Sequence, residues 1–427
     1  MVSHQALRGT ARSGRKQSGG PEVDLAKVLL IAPTCDGEDV GEAWVAFQWA
    51  ARLAERHDAT LLTYHKRGAR PASEQLPHMR VIEWQEPPLL GRAERLNRLM
   101  KPAYLPFFIR SRRWIRQALA RGERFDLVHQ PVPVAMRYPS PATGLGLPLL
   151  IGPVGGGLTA PASFNADDTS SPWFSKLRVL DRYRLKWDPW LRGSFENADC
   201  VLGIADYVKE ALADVPLKDF RVMSETGLNS LPPVIDRSER RGSIKLLFVG
   251  RLVRTKGVRD LIRAMTFIRD LPVELDVVGE GPERAACEEI IAAENLADRV
   301  RLHGWQSRED VADFYRAADI FTFPSYREPG GNVALEAMGY SLPLIVVDRG
   351  GPGSATSDLC AIKLEASTPE KLARDVSSAI RNLVTDGARR NRMGQAAYEH
   401  VSKTALWSSK LDRIDEIYAD LARGSQR

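Results

Sequence analysis

Short apolar runs alternate with amphipathic segments along most of the chain, and this alternation occurs in both halves. In the first half, the apolar runs predict strands at residues 26–32, 60–64, 127–129, 147–151 and 200–204. In the second half, they predict strands at residues 245–249, 275–278, 300–303, 320–323 and 344–347. Because helical segments separate these strands, the pattern is typical of parallel sheets with helices on both faces. We therefore predict an α/β protein with two Rossmann-like, doubly wound domains that face a central cleft.

Two features of the pattern place a domain boundary near residue 235. Pro232 and Pro233 interrupt the periodicity, and the charged run DRSERR follows them. At the N-terminus, small, polar and basic residues predict a disordered leader, and at the C-terminus apolar residues recur at helical spacing. The predicted divisions are a leader (1–24), an N-terminal domain (25–235), a C-terminal domain (236–395) and C-terminal helices (396–427).

The composition fits two domains and narrows the class of protein. The chain has 427 residues, of which 44% are hydrophobic and 27% are charged, as is ordinary for a soluble globular protein. Its apolar runs fall short of the ~20 residues that a membrane-spanning helix needs, and its start does not resemble a signal peptide. The four cysteines are scattered, without paired or metal-ligand spacing. We predict a cytoplasmic protein without a metal site or a nucleic-acid partner.

Positive charge is concentrated in one segment, residues 89–125. Ten Lys and Arg side chains lie there against only two glutamates, and apolar residues such as Phe107, Phe108 and Trp114 are interleaved with them. A basic amphipathic segment suits an anionic membrane surface, so it predicts peripheral attachment to the inner face of the membrane. The alternative is a solvated helix pair whose apolar stripe lies in the core, and the sequence leaves both open.

Candidate chemistry is densest between residues 317 and 353. A strand at 320–323 leads through a loop into a helix that opens at Gly330-Gly331-Asn332, and Glu328 and Glu336 bracket this junction. The loop leaves the carboxyl end of a parallel strand, where such sheets bind ligands. The glycines let an anion approach the free N–H groups of the helix N-terminus. A carboxylate on each side of an anion site predicts a phosphate flanked by hydroxyls, which is the shape of a nucleotide-sugar.

A second loop supplies positive charge at the same sheet edge. Gly250 ends the strand at 245–249, and Arg251 and Lys256 follow within a short Gly-bounded loop. Two cations that face the helix N-terminus would form a diphosphate clamp, with a planar fork from Arg and a point charge from Lys. His303, after another strand, falls on the same edge.

Glycine-containing loops also follow strands of the first half. Gly37 lies after the first strand, and Gly155 and Gly156 belong to the run GPVGGG after the strand at 147–151. Such loops permit a close approach by a ligand or another domain, although the triple glycine is also compatible with a plain tight turn. The polar stretch at 164–173 predicts a lid or an acceptor loop, and one long helix is predicted from there to about Asn197.

These blocks together resemble one enzyme family. The second half, through GRLVRTKG, VVGEGPE and EPGGNVALEAMGYSLPLIV in this order, looks like the nucleotide-binding domain of glycosyltransferase family 4. These are retaining enzymes of GT-B fold. The first half resembles a bacterial subgroup of the family through GEDVGEAW, DLVHQ and GPVGGGLTAP. The matching blocks are spread over most of residues 26–425.

The resemblance implies roles for the residues already singled out. Arg251 and Lys256 would bind the donor diphosphate, Glu336 would accept hydrogen bonds from the ribose, and Glu328 would face the donor sugar. The backbone N–H groups of the glycine-rich helix start would hold the sugar or its phosphate. The surroundings of His303 would frame the base. The donor-binding set is Gly37, Gly155, Gly156, Gly250, His303, Gly330, Gly331, Asn332 and Glu336.

His129 has two interpretations. Many members of the family have a catalytic-cleft His just after the strand that ends here at His129, within a His-x-His sequence. This chain has Pro131 at the second position. His129 is therefore a candidate catalytic residue beside Arg251, Lys256 and Glu328, and the alternative is a structural histidine at a strand end.

The function that the resemblance implies is transfer of a sugar from a nucleotide-diphosphate-sugar to a hydroxyl of a saccharide or lipid-linked acceptor. The anomeric configuration would be retained, in bacterial polysaccharide or glycoconjugate biosynthesis. We expect a metal-independent enzyme without a cofactor, because no Asp-x-Asp sequence follows a strand. A nucleotide-sugar epimerase of the same fold is one alternative. A non-catalytic, sugar-nucleotide-binding partner of a polysaccharide assembly complex is the other.

Overall fold

The computed structural model describes residues 25–87, 103–167, 179–238, 240 and 242–424. These residues form two parallel sheets with alternating helices, which confirms the predicted α/β architecture of two Rossmann-like domains. The predicted leader, the first part of the basic segment and the later part of the polar stretch lie outside the described residues.

The first sheet belongs to the N-terminal domain. Its strands are β1 (Lys27–Thr34), β2 (Asp58–His65), β3 (Arg80–Gln85), β4 (Leu127–Gln130), β5 (Leu149–Val154), β6 (Cys200–Gly203) and β7 (Phe220–Val222). The described strands pair in parallel in the order β3-β2-β1-β4-β5-β6-β7. Strands β4, β5 and β6 are buried along their whole length, whereas the edge strands β3 and β7 are at most half-buried. Neither strand has a continuous apolar run, so the sequence pattern did not predict β3 and β7.

The helices of this domain depart from the prediction at one place. They are α1 (Glu42–Arg56), α2 (Ala72–Gln75), α3 (Tyr104–Ala120), α4 (Val179–Trp187), α5 (Pro189–Asn197) and α6 (Tyr207–Ala211), with a 3-10 turn at Ala162–Asp167. The single long helix predicted to end near Asn197 is wrong, since α4 and α5 are separate. Asp188 lies between them, with an extended backbone, and its carboxylate accepts hydrogen bonds from the N–H groups of Trp190 and Leu191. This N-cap, followed by Pro189 at the first helical position, starts a new helix.

The second sheet belongs to the C-terminal domain. Its strands are β8 (Ile244–Val249), β9 (Val273–Val278), β10 (Val300–Gly304), β11 (Ile320–Phe323), β12 (Leu344–Val347) and β13 (Ala361–Leu364), in the order β10-β9-β8-β11-β12-β13. The helices are α7 (Val258–Ala264), α8 (Arg284–Ala293), α9 (Arg308–Ala317), α10 (Asn332–Gly339), α11 (Gly350–Ala355), α12 (Pro369–Thr385), α13 (Gly387–Thr404) and α14 (Trp407–Gly424), with 3-10 turns at Arg254–Lys256 and Met265–Ile268. The strand order reverses between β8 and β11, so the loops after these two strands meet at the position where such sheets bind ligands.

The last helix returns to the N-terminal domain. Trp407, Leu411 and Tyr418 of α14 are buried in the same cluster as apolar residues of β1 and α1. The predicted boundary at residue 396 falls within α13, whose Ala397 and Val401 belong to the core of the C-terminal domain. The crossing therefore takes place at the short link between α13 and α14, about ten residues later than the sequence pattern suggested.

Candidate functional site

The loop after β8 carries the first part of the site. Arg251 is exposed and Lys256 is half-buried, whereas Arg254 between them is buried and forms an ion pair with Asp260, with 2.6 Å between Nη1 and Oδ2. Gly257 closes the loop with a φ of +73°, and a β-carbon there would lie 2.2 Å from the carbonyl oxygen of Pro324. Only glycine fits this close approach. The loop is therefore held against the loop that follows β11.

Lys256 and Glu328 join the two loops directly. The ammonium nitrogen of Lys256 contacts the carboxylate of Glu328. Burial, and then the charge of Arg251, lower the pKa of Lys256 to about 8, whereas the adjacent carboxylate favours the charged ammonium. An ion pair at this place presents a cation that an incoming diphosphate could share.

The glycine-rich start of α10 lies beside this pair. Gly331 precedes the helix with a φ of +74°, and its N–H lies 3.4 Å from Oε1 of Glu328. The carbonyl oxygen of Glu328 accepts a hydrogen bond of 2.8 Å from the N–H of Gly351. Asn332 opens the helix, and its side-chain oxygen accepts a hydrogen bond of 2.9 Å from Thr226, in the segment that links the domains. Helix N–H groups, a cation and a carboxylate thus occur together at one sheet edge.

Glu336 lies one turn further along α10. The hydroxyl of Tyr315 donates a hydrogen bond of 3.1 Å to its Oε2. Burial raises the pKa of Glu336, and this hydrogen bond opposes the rise. Tyr315 is itself buried, so it holds the carboxylate in a fixed orientation.

His303 lies at the end of β10, which β9 and β8 separate from β11. Its Nε2 lies 2.6 Å from Oδ1 of Asp276, and its ring packs against Phe314 with 4.6 Å between the ring centroids. These contacts fix the ring at the carboxyl edge of the second sheet, where the sequence predicted the nucleotide base.

The predicted cleft residues of the N-terminal domain lie at two places. Gly37 follows β1, where its N–H donates to Gln75 and a β-carbon would be 2.8 Å from the ring of Phe47. Gly155 and Gly156 follow β5, and the N–H of Gly156 lies 3.4 Å from the hydroxyl of Tyr207. The contacts described for these three glycines are with their own domain.

The chain after the triple glycine crosses to the other domain. Leu158 contacts Gly350, and Arg349 donates a hydrogen bond of 2.9 Å to the carbonyl of Thr159. Phe164 is fully buried, and its ring centroid lies 4.1 Å from that of Tyr326 in the loop after β11. The start of the predicted lid is thus anchored in the core of the C-terminal domain.

The structure contradicts a catalytic role for His129. Its side chain is fully buried, its Nδ1 lies 2.7 Å from the hydroxyl of Tyr418, and its Nε2 lies 2.7 Å from the carbonyl oxygen of Gly152. Because a carbonyl only accepts, Nε2 carries the proton and Nδ1 accepts from the tyrosine. Both nitrogens are therefore used within the protein, and His129 attaches α14 to the sheet.

Acid should destabilise the fold through His129. Burial lowers its pKa from 6.5 to about 4, and the hydrogen bond to Gly152 offsets part of the effect. Below its ordinary pKa, the unfolded chain binds a proton that the folded protein excludes. The free energy of unfolding should therefore be highest above the ordinary pKa and fall as the pH approaches the lowered value, by about 3 kcal/mol from this group. Urea titrations at neutral and acid pH should show a smaller loss in His129→Gln. Equal losses would contradict the assignment.

The structure thus groups most of the predicted site residues of the C-terminal domain, whereas the described contacts of Gly37, Gly155, Gly156 and His129 are with other residues. Arg251, Lys256, Glu328 and the start of α10 lie in adjoining loops, whereas His129 lies in the core of the other domain. Two contacts were not predicted from the sequence: Phe164 packs between the domains, and Glu225, in the linker, is a neighbour of Gly330. Both residues lie outside the recognised blocks.

Two protein families match the chain, one in each domain. The family described as "Glycosyl transferases group 1" matches residues 235–400, and the family described as "Glycosyl transferase 4-like domain" matches residues 40–222. The two matches meet close to the linker between the two sheets.

Curated relatives agree with these families. Lipopolysaccharide core biosynthesis glycosyltransferase LpsD of Rhizobium meliloti is 32% identical over 206 residues, 46% of this chain and 58% of that protein. D-inositol 3-phosphate glycosyltransferase of Corynebacterium kroppenstedtii is 33% identical over 203 residues, 44% of each chain. The uncharacterized glycosyltransferase YqgM of Bacillus subtilis is 26% identical over 320 residues, 72% of this chain and 82% of that protein. The match spans only about half the length of the first two.

Solved structures share the arrangement of both domains. Sucrose-phosphate synthase from Thermosynechococcus elongatus has a TM-score of 0.60 at 22% identity, over 93% of this chain and 99% of that one. The lipopolysaccharide outer core galactosyltransferase WaaB has a TM-score of 0.62 at 15% identity, over 94% and 100%. Anabaena Alr3699/HepE in complex with UDP has a TM-score of 0.61 at 17% identity, over 92% and 100%. At these identities the likeness shows the fold, and together with the family matches it leads to one conclusion: the chain belongs to glycosyltransferase family 4, and its fold is GT-B.

Proposed function

We propose that this protein is a retaining hexosyltransferase that uses a nucleotide-diphosphate-sugar as donor. The bond between the anomeric carbon and the distal phosphate oxygen breaks, and a bond to an acceptor hydroxyl oxygen forms on the same face of the sugar. The acceptor proton passes to the departing phosphate oxygen. The acceptor is a saccharide or a lipid-linked saccharide of bacterial polysaccharide or glycoconjugate biosynthesis, and the lipopolysaccharide glycosyltransferases among the relatives support this class.

One observation carries the proposal, namely the contact between Lys256 and Glu328 beside the N-terminus of α10. A diphosphate placed there would meet the ammonium of Lys256, the guanidinium of Arg251 and free helix N–H groups. Glu336, one turn along, is positioned for the ribose hydroxyls, and Glu328 for the sugar. This order of groups matches the order of parts in a nucleotide-sugar.

The same groups support a reaction that needs neither a metal ion nor a cofactor. Positive charge from Arg251, Lys256 and the helix N-terminus can stabilise the negative charge that develops on the leaving diphosphate. Within the described part of the chain, no cluster of three or more His, Cys, Asp or Glu side chains is arranged to hold a metal. We therefore expect turnover to persist in EDTA.

A panel of radiolabelled UDP-, GDP- and ADP-sugars tests this function. Release of nucleotide through slow hydrolysis by water would identify the donor without knowledge of the acceptor, and each assay is repeated with EDTA. Conversion of the sugar to an epimer without net transfer or hydrolysis would favour the epimerase. Failure of the folded protein to act on any member of the panel would contradict the proposal. Loss of activity in EDTA and its recovery with Mg²⁺ would contradict metal independence.

We also propose that the N-terminal domain binds an anionic membrane surface through α3 and its surroundings. Leu105 and Ile109 are 56% and 58% exposed on this helix, next to exposed arginines, and Phe108 stacks on Trp190, which is 61% exposed. Phe107 takes no part, because it is fully buried in the core. None of the described helices is long and apolar enough to cross a membrane. Attachment would therefore be peripheral.

Liposome cosedimentation tests this attachment. We expect binding to phosphatidylglycerol vesicles, absence of binding to phosphatidylcholine vesicles and release by high salt, at about 1 kcal/mol per basic residue. Arg110, Arg113 and Arg116 are exposed and are changed together to Glu. Arg112 is left intact because it donates hydrogen bonds to the carbonyls of residues 141 and 143. The control variant reverses three exposed charges of α13, at positions 389, 392 and 403. Equal binding of both variants, or no binding by the wild type, would contradict the attachment.

A further inference from the structure

The segment that links the two domains is held from three sides at residues 224–226. The indole N–H of Trp49, in α1, donates a hydrogen bond of 2.9 Å to the carbonyl of Glu225. The buried ammonium of Lys410, in α14, donates to the carbonyls of Ser224 and Thr226. Thr226 in turn bonds the side chain that opens α10. These hydrogen bonds hold the backbone of Glu225 in place between the domains, so the position of its side chain is restricted.

The carboxylate of Glu225 reaches the donor loop. A β-carbon at Gly330 would lie 2.5 Å from Oε1 and 3.1 Å from Oε2 of Glu225, so the carboxylate lies directly over this glycine. Tyr207 is also near Glu225, and its hydroxyl is 3.4 Å from the N–H of Gly156. Burial raises the pKa of Tyr207 to about 12, and the nearby charge of Glu225 contributes to the rise. Glu225 therefore lies between the glycine loops of both domains.

Within the described residues, one oxygen of this carboxylate lacks a hydrogen-bond partner. Oε2 of Glu225 is buried and has no hydrogen-bond partner there. The nearby cation, Lys410, has its described hydrogen bonds with Ser224 and Thr226. A buried carboxylate oxygen without a hydrogen bond is costly, because it has lost its hydration and only the charge of Lys410 compensates it. A fold keeps such a group where a ligand supplies the missing hydrogen bond.

The chemistry of the ligand follows from the position. A second phosphate would be repelled by the carboxylate, whereas a hydroxyl can donate to it. Gly330 lies two residues after Glu328, on the side of the loop assigned to the sugar. A carboxylate there would also be favoured by positive charge that develops on the sugar as its bond to phosphate breaks.

We propose that Glu225 is a donor-sugar-binding residue, whose carboxylate accepts a hydrogen bond from a hydroxyl of the transferred sugar and strengthens it in the transition state. The proposal rests on the proposed function and identifies a third acidic residue at the same site. It differs from Glu328 in origin, since Glu225 comes from the linker and reaches the donor only when both domains are in place.

The test compares Glu225→Gln with the wild type on the donor that the panel identifies. We expect kcat/KM for donor hydrolysis by water to fall by about tenfold to thirtyfold, whereas the Kd for the free nucleoside diphosphate stays within about twofold. The Tm should stay close to that of the wild type, because Gln keeps the size of the side chain and Lys410 keeps its hydrogen bonds to Ser224 and Thr226. Glu225→Asp keeps the charge and should recover part of the activity. Glu210→Gln, at an exposed position of α6, is the matched control and should behave as the wild type.

Three results would overturn the inference. Wild-type hydrolysis in Glu225→Gln would show that the carboxylate does not act on the donor. A loss confined to transfer, with hydrolysis intact, would assign it to the acceptor instead. An equal loss of nucleotide affinity together with a lower Tm would show a structural role. If the wild type itself acts on no sugar-nucleotide, the proposed function fails. The Tm comparison needs no donor, so it tests Glu225 separately. A lower Tm in Glu225→Gln would still contradict the inference.

Discussion

Lys256→Ala should lower kcat/KM for the donor by on the order of 10²-fold or more, the largest effect expected of any single substitution in this protein. The ammonium of Lys256 is half-buried and is near the expected position of the diphosphate, so its charge is weakly screened by water. Its removal also leaves Glu328, in the neighbouring loop, without its ion-pair partner. The uncompensated carboxylate would then repel the donor phosphates.

This second contribution gives the prediction a sharper form. Adding Glu328→Gln to Lys256→Ala should recover part of the lost nucleotide affinity, because the repelling charge is gone, and a double-mutant cycle measures the coupling. Arg251→Ala should also lower kcat/KM by about 10²-fold, and Arg251→Lys should restore only part, because the planar fork is lost. Lys245→Ala is the matched control, since Lys245 is exposed at the opposite end of β8. Near wild-type kinetics in both alanine variants would exclude the donor site from these loops.

The second large effect separates Glu336 from Glu328. Glu336→Gln should weaken the affinity for the free nucleoside diphosphate by about 10-fold to 100-fold, because a charged acceptor of the ribose hydroxyls is lost. Tyr315 would still orient the side chain at position 336. The loss of affinity would therefore result from the missing charge and not from a displaced side chain. Isothermal titration with the nucleoside diphosphate of the identified donor measures the Kd.

Glu328→Gln should have the opposite pattern. The affinity for the nucleoside diphosphate should be unchanged or slightly higher, because Lys256 is released from its ion pair, whereas turnover of the intact donor should fall. Glu289→Gln, at an exposed position of α8, controls for the loss of one negative charge. Equal losses of nucleotide affinity at Glu328 and Glu336 would contradict this division of roles.

The grouping of the proposed donor residues could be predicted because they are local in sequence. Arg251 and Lys256 are five residues apart in one loop, and Glu328 and Glu336 bracket one helix start. The carboxyl ends of parallel strands share one edge, so assignment of the strands was enough to bring these loops together. The direct contact between Lys256 and Glu328 needed the tertiary structure, because it joins residues 72 positions apart.

Burial decided the role of His129 and showed which face of α3 enters the core. His129 lies near the carboxyl end of β4, but a contact with Tyr418, almost three hundred residues later, helps to enclose it in the core. In α3, the residues of one face enter the core and those of the opposite face stay exposed, so Phe107 and Ile109 have different fates although they are two positions apart. Sequence spacing gives the two faces, and only packing shows which one is covered.

The sequence by itself determined the two α/β domains and placed the loops of the predicted donor groups at one sheet edge. It could do so because strand and helix periodicity, turn residues and loop chemistry act over a few neighbouring residues. Only the tertiary structure placed Phe164 in the other domain's core and the carboxylate of Glu225 over Gly330. Each of these positions depends on how two separately folded domains meet, and a contact between distant segments leaves no periodic signal in either of them.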